Sequence, residues 1–334
     1  MMRNTPRLCE MQLANEPLER AGVTRWLNAK APAPAAQRRA VRPDRTMSHV
    51  ELATFDNGTG EGIVSFEPSR TSGPEYDADH SRWYHHLLVA GQRVFEYGCP
   101  CGTCGIVFRK VGTSAHRVSD SEAFRLLGHL DFVPSNEILR RLARVLQPGF
   151  YHPAIVEGTV RLIEPGGPAD YFASDVVRLS GLEPPDYEQA SGPRTPYYRL
   201  GSDSGLERTG RTTGPHNALV AAVIMPLHDP SRLSRERVNY WLRQSDAGTP
   251  LTAFAVAVID NQQPAMSPAD PSYPYEEHFL FTNCLLDGHH RVQAAAESGR
   301  AVRILSLLAR ESSLVERVED ISAVLRGYHR RAEP

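Results

Sequence analysis

Lysine is almost absent from this chain. Of the 37 basic side chains only Lys30 and Lys110 are lysines, and the other 35 are arginines. No GxxxxGK[ST] motif occurs in the sequence, which excludes a P-loop. Any bound phosphate would therefore have to be held by arginine, histidine and backbone amides. The abundance of arginine indicates little by itself, because such a bias reflects the base composition of a genome.

Long hydrophobic runs are also missing. The longest, residues 218–227 and 251–259, are too short to cross a bilayer, and the N-terminus lacks the apolar segment of a signal peptide. We therefore expect a cytoplasmic protein with no membrane partner. A chain of 334 residues with 41% hydrophobic and 23% charged residues is typical of about two ordinary globular domains.

Residues 1–46 form a basic arm. They carry nine basic and four acidic side chains, a net charge of +5, which leaves −7 for the rest of a chain whose net charge is −2. Residues 31–36 have the Pro/Ala composition of a linker, and Met47 opens a plausible true start. We predict a disordered arm or an extension upstream of the true start. Nucleic-acid binding by the arm is the less favoured alternative.

Three of the five cysteines lie within six residues, at Cys99, Cys101 and Cys104. In an intracellular chain this favours metal or redox chemistry over structural disulfides. Structural Zn²⁺ needs four ligands, of which this turn supplies three. Our first candidate for the fourth ligand is His85. The other candidates are His80, His86 and His116. Redox chemistry and unligated thiols are the alternatives to zinc.

The C-terminal part alternates strands with helices. The pattern predicts a helix over 231–244, and it predicts strands over 219–225, 251–260, 279–286 and 302–308. A further strand-like segment, 159–163, lies in the first half of the chain. We predict an α/β (α+β) fold. Its predicted parts are the arm 1–46, a β-rich mixed domain 47–181 with the zinc knuckle, a linker 182–214 and an α/β domain 215–334.

The segment Asp287-Gly288-His289-His290-Arg291 is the most informative motif. It follows a strand-like apolar run and precedes an Ala-rich helix that ends at Gly299. A tight glycine turn from strand into helix exposes backbone N–H groups at the positive end of the helix dipole. With two imidazoles and a guanidinium at the same point, residues 288–291 predict an anion site for nucleotide phosphates. The alternative interpretation is that Asp287 caps the helix and the basic side chains are solvated.

Residues 217–310 resemble the ParB/sulfiredoxin-like superfamily. The resemblance rests on Pro226-Leu227-His228-Asp229 before a helix, on Pro250 opening a strand, and on residues 286–291 followed by Ala294-Ala295. In that superfamily the equivalent turn binds nucleotide phosphates, and the DGHHR form is most similar to the free-serine-kinase branch. Sulfiredoxins place a reactive cysteine within the turn, where this chain has His289, and partition proteins continue with a helix-turn-helix region.

The resemblance implies a nucleotide-dependent phosphotransferase. ATP or ADP with Mg²⁺ would supply the phosphoryl group, and a small hydroxyl-bearing metabolite such as an amino acid would accept it. The resemblance implies that Asp229 is the catalytic carboxylate, with Asp287 as the second choice. The family's serine kinases have a glutamate near the position of Asp229, and an aspartate side chain is shorter. Asp229 also fits a simple turn or N-cap residue.

Two other functions stay open. One is a non-catalytic, nucleotide-sensing regulator with a zinc-stabilised N-terminal domain that contacts protein or nucleic acid. The other is an accessory protein whose turn binds only a product carboxylate or phosphate.

Overall fold

The computed structural model describes residues 48–51, 54–68, 84–98, 107–112, 118, 134–172, 195–201, 207–209, 218–262 and 278–313. The predicted arm 1–46 and the cysteines at 99, 101 and 104 lie outside these residues.

The described residues contain thirteen strands and three α-helices. The strands are β1 (Ser48–Glu51), β2 (Phe55–Asp56), β3 (Val64–Pro68), β4 (Tyr84–Val89), β5 (Gln92–Gly98), β6 (Val107–Lys110), β7 (Phe150–Ile163), β8 (Tyr197–Leu200), β9 (Glu207–Thr209), β10 (Ala218–Pro226), β11 (Leu251–Gln262), β12 (His278–Asp287) and β13 (Ala301–Ala309). The helices are α1 (Asn136–Ala143), α2 (Arg235–Asp246) and α3 (His289–Ser298), and short 3₁₀ turns occupy Pro230–Arg232 and Arg310–Ser312.

Nine strands form one sheet, in the order β1-β7-β13-β11-β12-β10-β8, with β2 on β7 and β9 on β10. β8 also pairs with β7, opposite Val160 to Ile163, so six of the strands close into a ring of pairings. The pairs β10–β12 and β11–β13 are parallel, and the other pairs are antiparallel. Each of α2 and α3 therefore connects two strands that have a third strand between them.

Both faces of this sheet are buried. Along β11 the alternating side chains Phe254, Val256 and Val258 enter one core, which also contains the second sheet and α1. The alanines at 253, 255 and 257 enter another core beneath α2 and α3. A continuous apolar run is what a strand covered on both faces requires. The small alanines leave room for α3, which itself presents Ala294 and Ala295 to the same core.

The second sheet is a four-stranded antiparallel meander, β3-β4-β5-β6. It joins the large sheet through side chains as well as through the shared core. The hydroxyl of Tyr97 on β5 donates to the carbonyl of Ser312 at 3.0 Å. Lys110, at the end of β6, donates to the carbonyl of Leu227 just after β10, at 2.9 Å.

The mixture of helices and strands confirms the predicted α+β class. The large sheet takes strands from three of the predicted parts, 47–181, 182–214 and 215–334. β7 and β13, which the sequence analysis assigned to separate domains, are neighbours over Tyr151 to Thr159 and Ala301 to Ala309. Part of the predicted linker 182–214 is also strand, since β8 and β9 lie within it. Hydrophobic periodicity locates strands, but it does not reveal which distant strands pair.

Among the described residues, each helix is too short or too polar to traverse a lipid bilayer.

Candidate functional site

The parallel pairing of β10 with β12 places the ends of both strands at one edge of the sheet. Pro226 lies opposite Leu285 in this register. The residues that follow, His228 and Asp229 after β10 and the DGHHR turn after β12, are therefore brought together. These two segments are 60 residues apart in the sequence and carry most of the predicted site.

Gly288 makes the turn between β12 and α3. Its φ of +91° is left-handed, a conformation that costs other residues about 1 kcal/mol or more. A Cβ atom at this position would lie 2.9 Å from both the Cα and the Cβ of Ala253 on β11. The turn thus requires glycine both for its backbone conformation and for its close packing. The predicted strand–turn–helix arrangement is present.

The N-terminus of α3 has no side-chain cap, and its first turn contains no acidic residue. The amides of Arg291 and Val292 donate to the carbonyl of Gly288 at 2.8 and 2.9 Å. Helix geometry leaves the amides of His289 and His290 without an acceptor inside the helix. The positive end of the helix dipole therefore offers donors to an anion.

Arg291 is buried and bound within the protein. Its guanidinium donates to Asp287 Oδ2 at 2.5 Å and to Thr252 Oγ1 at 3.3 Å. It also lies over the ring of Trp241, 5.1 Å from the ring centroid. Asp287 accordingly holds Arg291 and does not cap α3, contrary to the alternative considered from the sequence. Arg291 also lines a cavity beside the turn. Its main contacts, however, are within the protein and fix the turn.

His289 is buried at the first position of α3, with its ring 4.7 Å from that of His228. No described residue forms a hydrogen bond to its Nε2 atom. Burial, assisted by nearby His228, His290 and cationic side chains, holds the pKa of His289 well below its usual value. The pKa of His290 is lowered as well, first by burial and then by Arg237. Near neutral pH both imidazoles are therefore uncharged hydrogen-bonding groups, not the cations that an anion site suggests.

Asp229 caps the 3₁₀ turn Pro230–Arg232. Its Oδ1 accepts from the amide and the hydroxyl of Ser231, at 2.9 and 2.8 Å. These hydrogen bonds, with smaller contributions from Lys110 and Arg232, lower the pKa of Asp229. The side chain is thus an ionised N-cap, as the alternative interpretation expected. It also lines a cavity beside the turn.

These groups surround a cavity of about 1230 Å³. Its walls are the end of β6, the loop after β10, one side of α2 and the DGHHR turn. The cationic side chains in its lining are Lys110, Arg232, Arg237 and Arg291, against the two carboxylates Asp229 and Asp287. The predicted catalytic and phosphate-binding residues, Asp229 and residues 287–291, therefore share one positively charged cavity.

Lys110 is the lining residue that sequence reasoning missed. It comes from the second sheet, and its ammonium group reaches the loop after β10. Burial lowers its pKa, an effect that Asp229 opposes. The sequence does contain a signal for Lys110, because it is one of only two lysines in a chain with 35 arginines. Arg232 and Arg237 also line the cavity.

Of the candidate zinc ligands, the described residues include His86, which contacts Glu96 at 3.2 Å, and the first candidate, His85. Its imidazole is buried in β4 and stacks on Tyr97 with 5.6 Å between ring centroids. Burial and His86 lower the pKa of His85 to about 4, which keeps it in the neutral form that metals require. Within the described ranges no group of three or more His, Cys, Asp or Glu side chains could hold a metal ion. The zinc site stays a prediction, because its three cysteines lie outside those ranges.

No protein-family model matches this chain, and the searches of curated proteins and of solved structures found no significant match either.

Proposed function

We propose that the cavity binds a Mg-nucleotide and that the protein is a phosphotransferase acting on a small hydroxyl-bearing metabolite. The observation that carries this proposal is the convergence of an uncapped helix N-terminus with Lys110, Arg232 and Arg237 on one cavity of about 1230 Å³. That volume is sufficient for a nucleotide and a small acceptor. The resemblance to the ParB/sulfiredoxin-like superfamily, which rests on the same turn, supports the same ligand.

The phosphate groups would lie at the start of α3. The amides of His289 and His290 would donate to phosphate oxygens, as at other helix N-termini that bind anions. Neutral imidazoles can add N–H donors without repelling the magnesium ion. Lys110, Arg232 and Arg237 would supply the positive charge that the histidines lack.

Phosphoryl transfer depends chiefly on positioning and on neutralising charge, so a small set of side chains suffices. The lowered pKa of Asp229 keeps it ionised, and its two hydrogen bonds from Ser231 both go to Oδ1. Its other oxygen suits a Mg²⁺ ligand or a contact to the acceptor hydroxyl. Bound Mg²⁺ would screen the charge of the phosphates.

A group must also accept the proton of the acceptor hydroxyl. His289 is poorly suited, because burial lowers its pKa and so disfavours protonation of the ring, and its Nε2 atom is itself buried. Asp287 is less suitable because its carboxylate already pairs with Arg291. We therefore assign both proton acceptance and orientation of the acceptor or the metal to Asp229, which lines the cavity.

Calorimetric titration of the full-length protein with MgATP, MgADP, MgCTP and MgGTP tests nucleotide binding. Lys110→Met should weaken binding of the best nucleotide about tenfold or more, because a hydrogen bond between charged groups is lost. Arg140→Gln, which removes an exposed cation outside the cavity on α1, should leave binding unchanged. If the wild-type protein binds none of the four nucleotides, or if the two variants behave alike, the proposal is wrong.

A nucleotide-sensing regulator is the second candidate. One observation favours it: both carboxylates with a predicted catalytic role also have structural partners, Ser231 for Asp229 and Arg291 for Asp287. The discriminating measurement is transfer of label from [γ-³²P]ATP to a mixture of hydroxyl-bearing amino acids. Nucleotide binding without labelled product would favour the regulator, whereas a labelled product would establish the enzyme.

A further inference from the structure

Three large hydrophobic side chains are exposed among the described residues. They are Val111, Phe150 and Tyr240, at 44%, 47% and 47% exposure. Two of the three, Val111 and Tyr240, line the cavity at the DGHHR turn. Exposed apolar surface that is concentrated in a polar, charged cavity is a feature of ligand sites that also bind a non-polar group.

Tyr240 is placed to offer its ring to a ligand. It lies on α2, and its ring meets that of Trp241 at an interplanar angle of 79°, with the centroids 5.2 Å apart. This contact orients the tyrosine ring, and the side chain is still 47% exposed. Trp241 itself is engaged, since the guanidinium of Arg291 lies over its ring.

The two exposed apolar side chains each adjoin a cation that faces the turn. Arg237 lies one helical turn before Tyr240, on the same side of α2, and its charge contributes to the lowered pKa of His290. Val111 directly follows Lys110, whose charge acts on both Asp229 and His289. A ligand with its anionic part at residues 288–290 would thus have cations on either side and apolar contacts beyond them.

We propose that Tyr240 stacks on the base of the bound nucleotide, with Val111 as a second apolar contact. This inference rests on the proposed function and deepens it. The ligand would be recognised as a nucleoside phosphate, and its base would contribute affinity that inorganic polyphosphate cannot. Every base can stack on a tyrosine face. Tyr240 would therefore favour ligands that carry a base, without distinguishing one base from another.

The test compares a nucleotide with the same phosphate chain lacking a base. MgATP and magnesium tripolyphosphate are titrated into the wild-type protein, Tyr240→Ala, Tyr240→Phe and Phe150→Ala. Tyr240→Ala should weaken ATP binding about tenfold and leave tripolyphosphate binding unchanged. Tyr240→Phe retains the ring and should bind ATP as the wild type does. Phe150→Ala is the matched control, because it removes an equally exposed aromatic side chain that does not line the cavity.

The outcomes separate this inference from the function on which it rests. If wild-type protein binds tripolyphosphate as tightly as ATP, or if Tyr240→Ala weakens both ligands equally or neither, the stacking proposal is overturned and the phosphate site stands. If the wild type binds neither ligand, the proposed function fails as well. Thermal unfolding of each variant shows whether it is folded. Because Tyr240 is exposed, its substitution should change the melting temperature little.

Discussion

The carboxylate of Asp287 and the guanidinium of Arg291 form a short ion pair, 2.5 Å between Oδ2 and Nη2, across the first turn of α3. The Arg291 side chain is 9% exposed and that of Asp287 32%. Arg291, one of the predicted phosphate-binding residues, thus mainly holds the turn against β11 and Trp241. The turn keeps its geometry through contacts within the protein.

Removing this arginine should destabilise the protein. Arg291→Ala leaves Asp287 without its partner and empties the space beside Trp241. We expect the free energy of unfolding to fall by about 2–3 kcal/mol, because breaking a largely buried pair leaves an uncompensated charge. Arg93→Ala, which breaks the exposed pair with Glu67, should cost less than about 1 kcal/mol. Urea denaturation measures both changes, and equal losses would contradict the structural role of Arg291.

A methyl group at Gly288 should be poorly tolerated. Gly288→Ala combines a positive φ with a contact of 2.9 Å to Ala253, and we expect a loss of about 2–4 kcal/mol. Gly299→Ala at the other end of α3 has a similar φ of +64° but open space around the added carbon. It should cost about 1 kcal/mol. Comparing the two in urea separates the clash from the backbone strain, and equal costs would show that packing against Ala253 is unimportant.

The stability of the fold should depend on pH through His289. In the unfolded chain this imidazole binds a proton near its usual pKa of 6.5, whereas burial keeps its pKa in the folded protein well below that value. The stabilisation is therefore complete above pH 6.5 and declines as the pH falls, by about 1.4 kcal/mol per pH unit from this group.

His289→Gln removes this titration. Between about pH 7.5 and about pH 5.5, its free energy of unfolding should fall by about 1 kcal/mol less than that of the wild type. Urea denaturation at both pH values provides the comparison. Parallel pH profiles for the two proteins would mean that His289 is not held neutral in the folded state.

The capping role of Asp229 and its proposed catalytic role can be separated by an isosteric change. Asparagine caps helices as well as aspartate does, so Asp229→Asn should keep the bond to the Ser231 amide and change stability by less than about 0.5 kcal/mol. It removes the negative charge, and phosphoryl transfer from [γ-³²P]ATP should decline by at least about a hundredfold. Asp229→Ala should lose about 1 kcal/mol of stability in addition. An Asp229→Asn variant with wild-type transfer would show that Asp229 is only a cap.

The strands around the site could be predicted closely from the sequence. The predicted segments 219–225, 279–286 and 302–308 differ from β10, β12 and β13 by one residue at each end. Their unbroken apolar runs and flanking turns are strong local signals. The helix predicted over 231–244 begins later, at Arg235, because Ser234 caps α2 and the preceding residues form the 3₁₀ turn.

The assembly of the cavity could not be predicted in the same way. Lys110 and Val111 reach the turn from a different sheet, more than 170 residues earlier in the chain, and no local pattern marks that contact. The neutral state of His289 likewise depends on the burial that α3 acquires only in the folded protein. The pairing of β7 with β13 is a third long-range contact of this kind.

The pairing of β7 with β13 matters for the expression of a C-terminal fragment on its own. A fragment that starts near residue 215 would retain the DGHHR turn but would lose β7, the neighbour that covers the outer edge of β13 along all nine of its residues. Such a bare edge readily recruits strands from other molecules. Insolubility of the isolated C-terminal half would therefore reflect a missing partner strand, and it would say nothing against the site that the half contains.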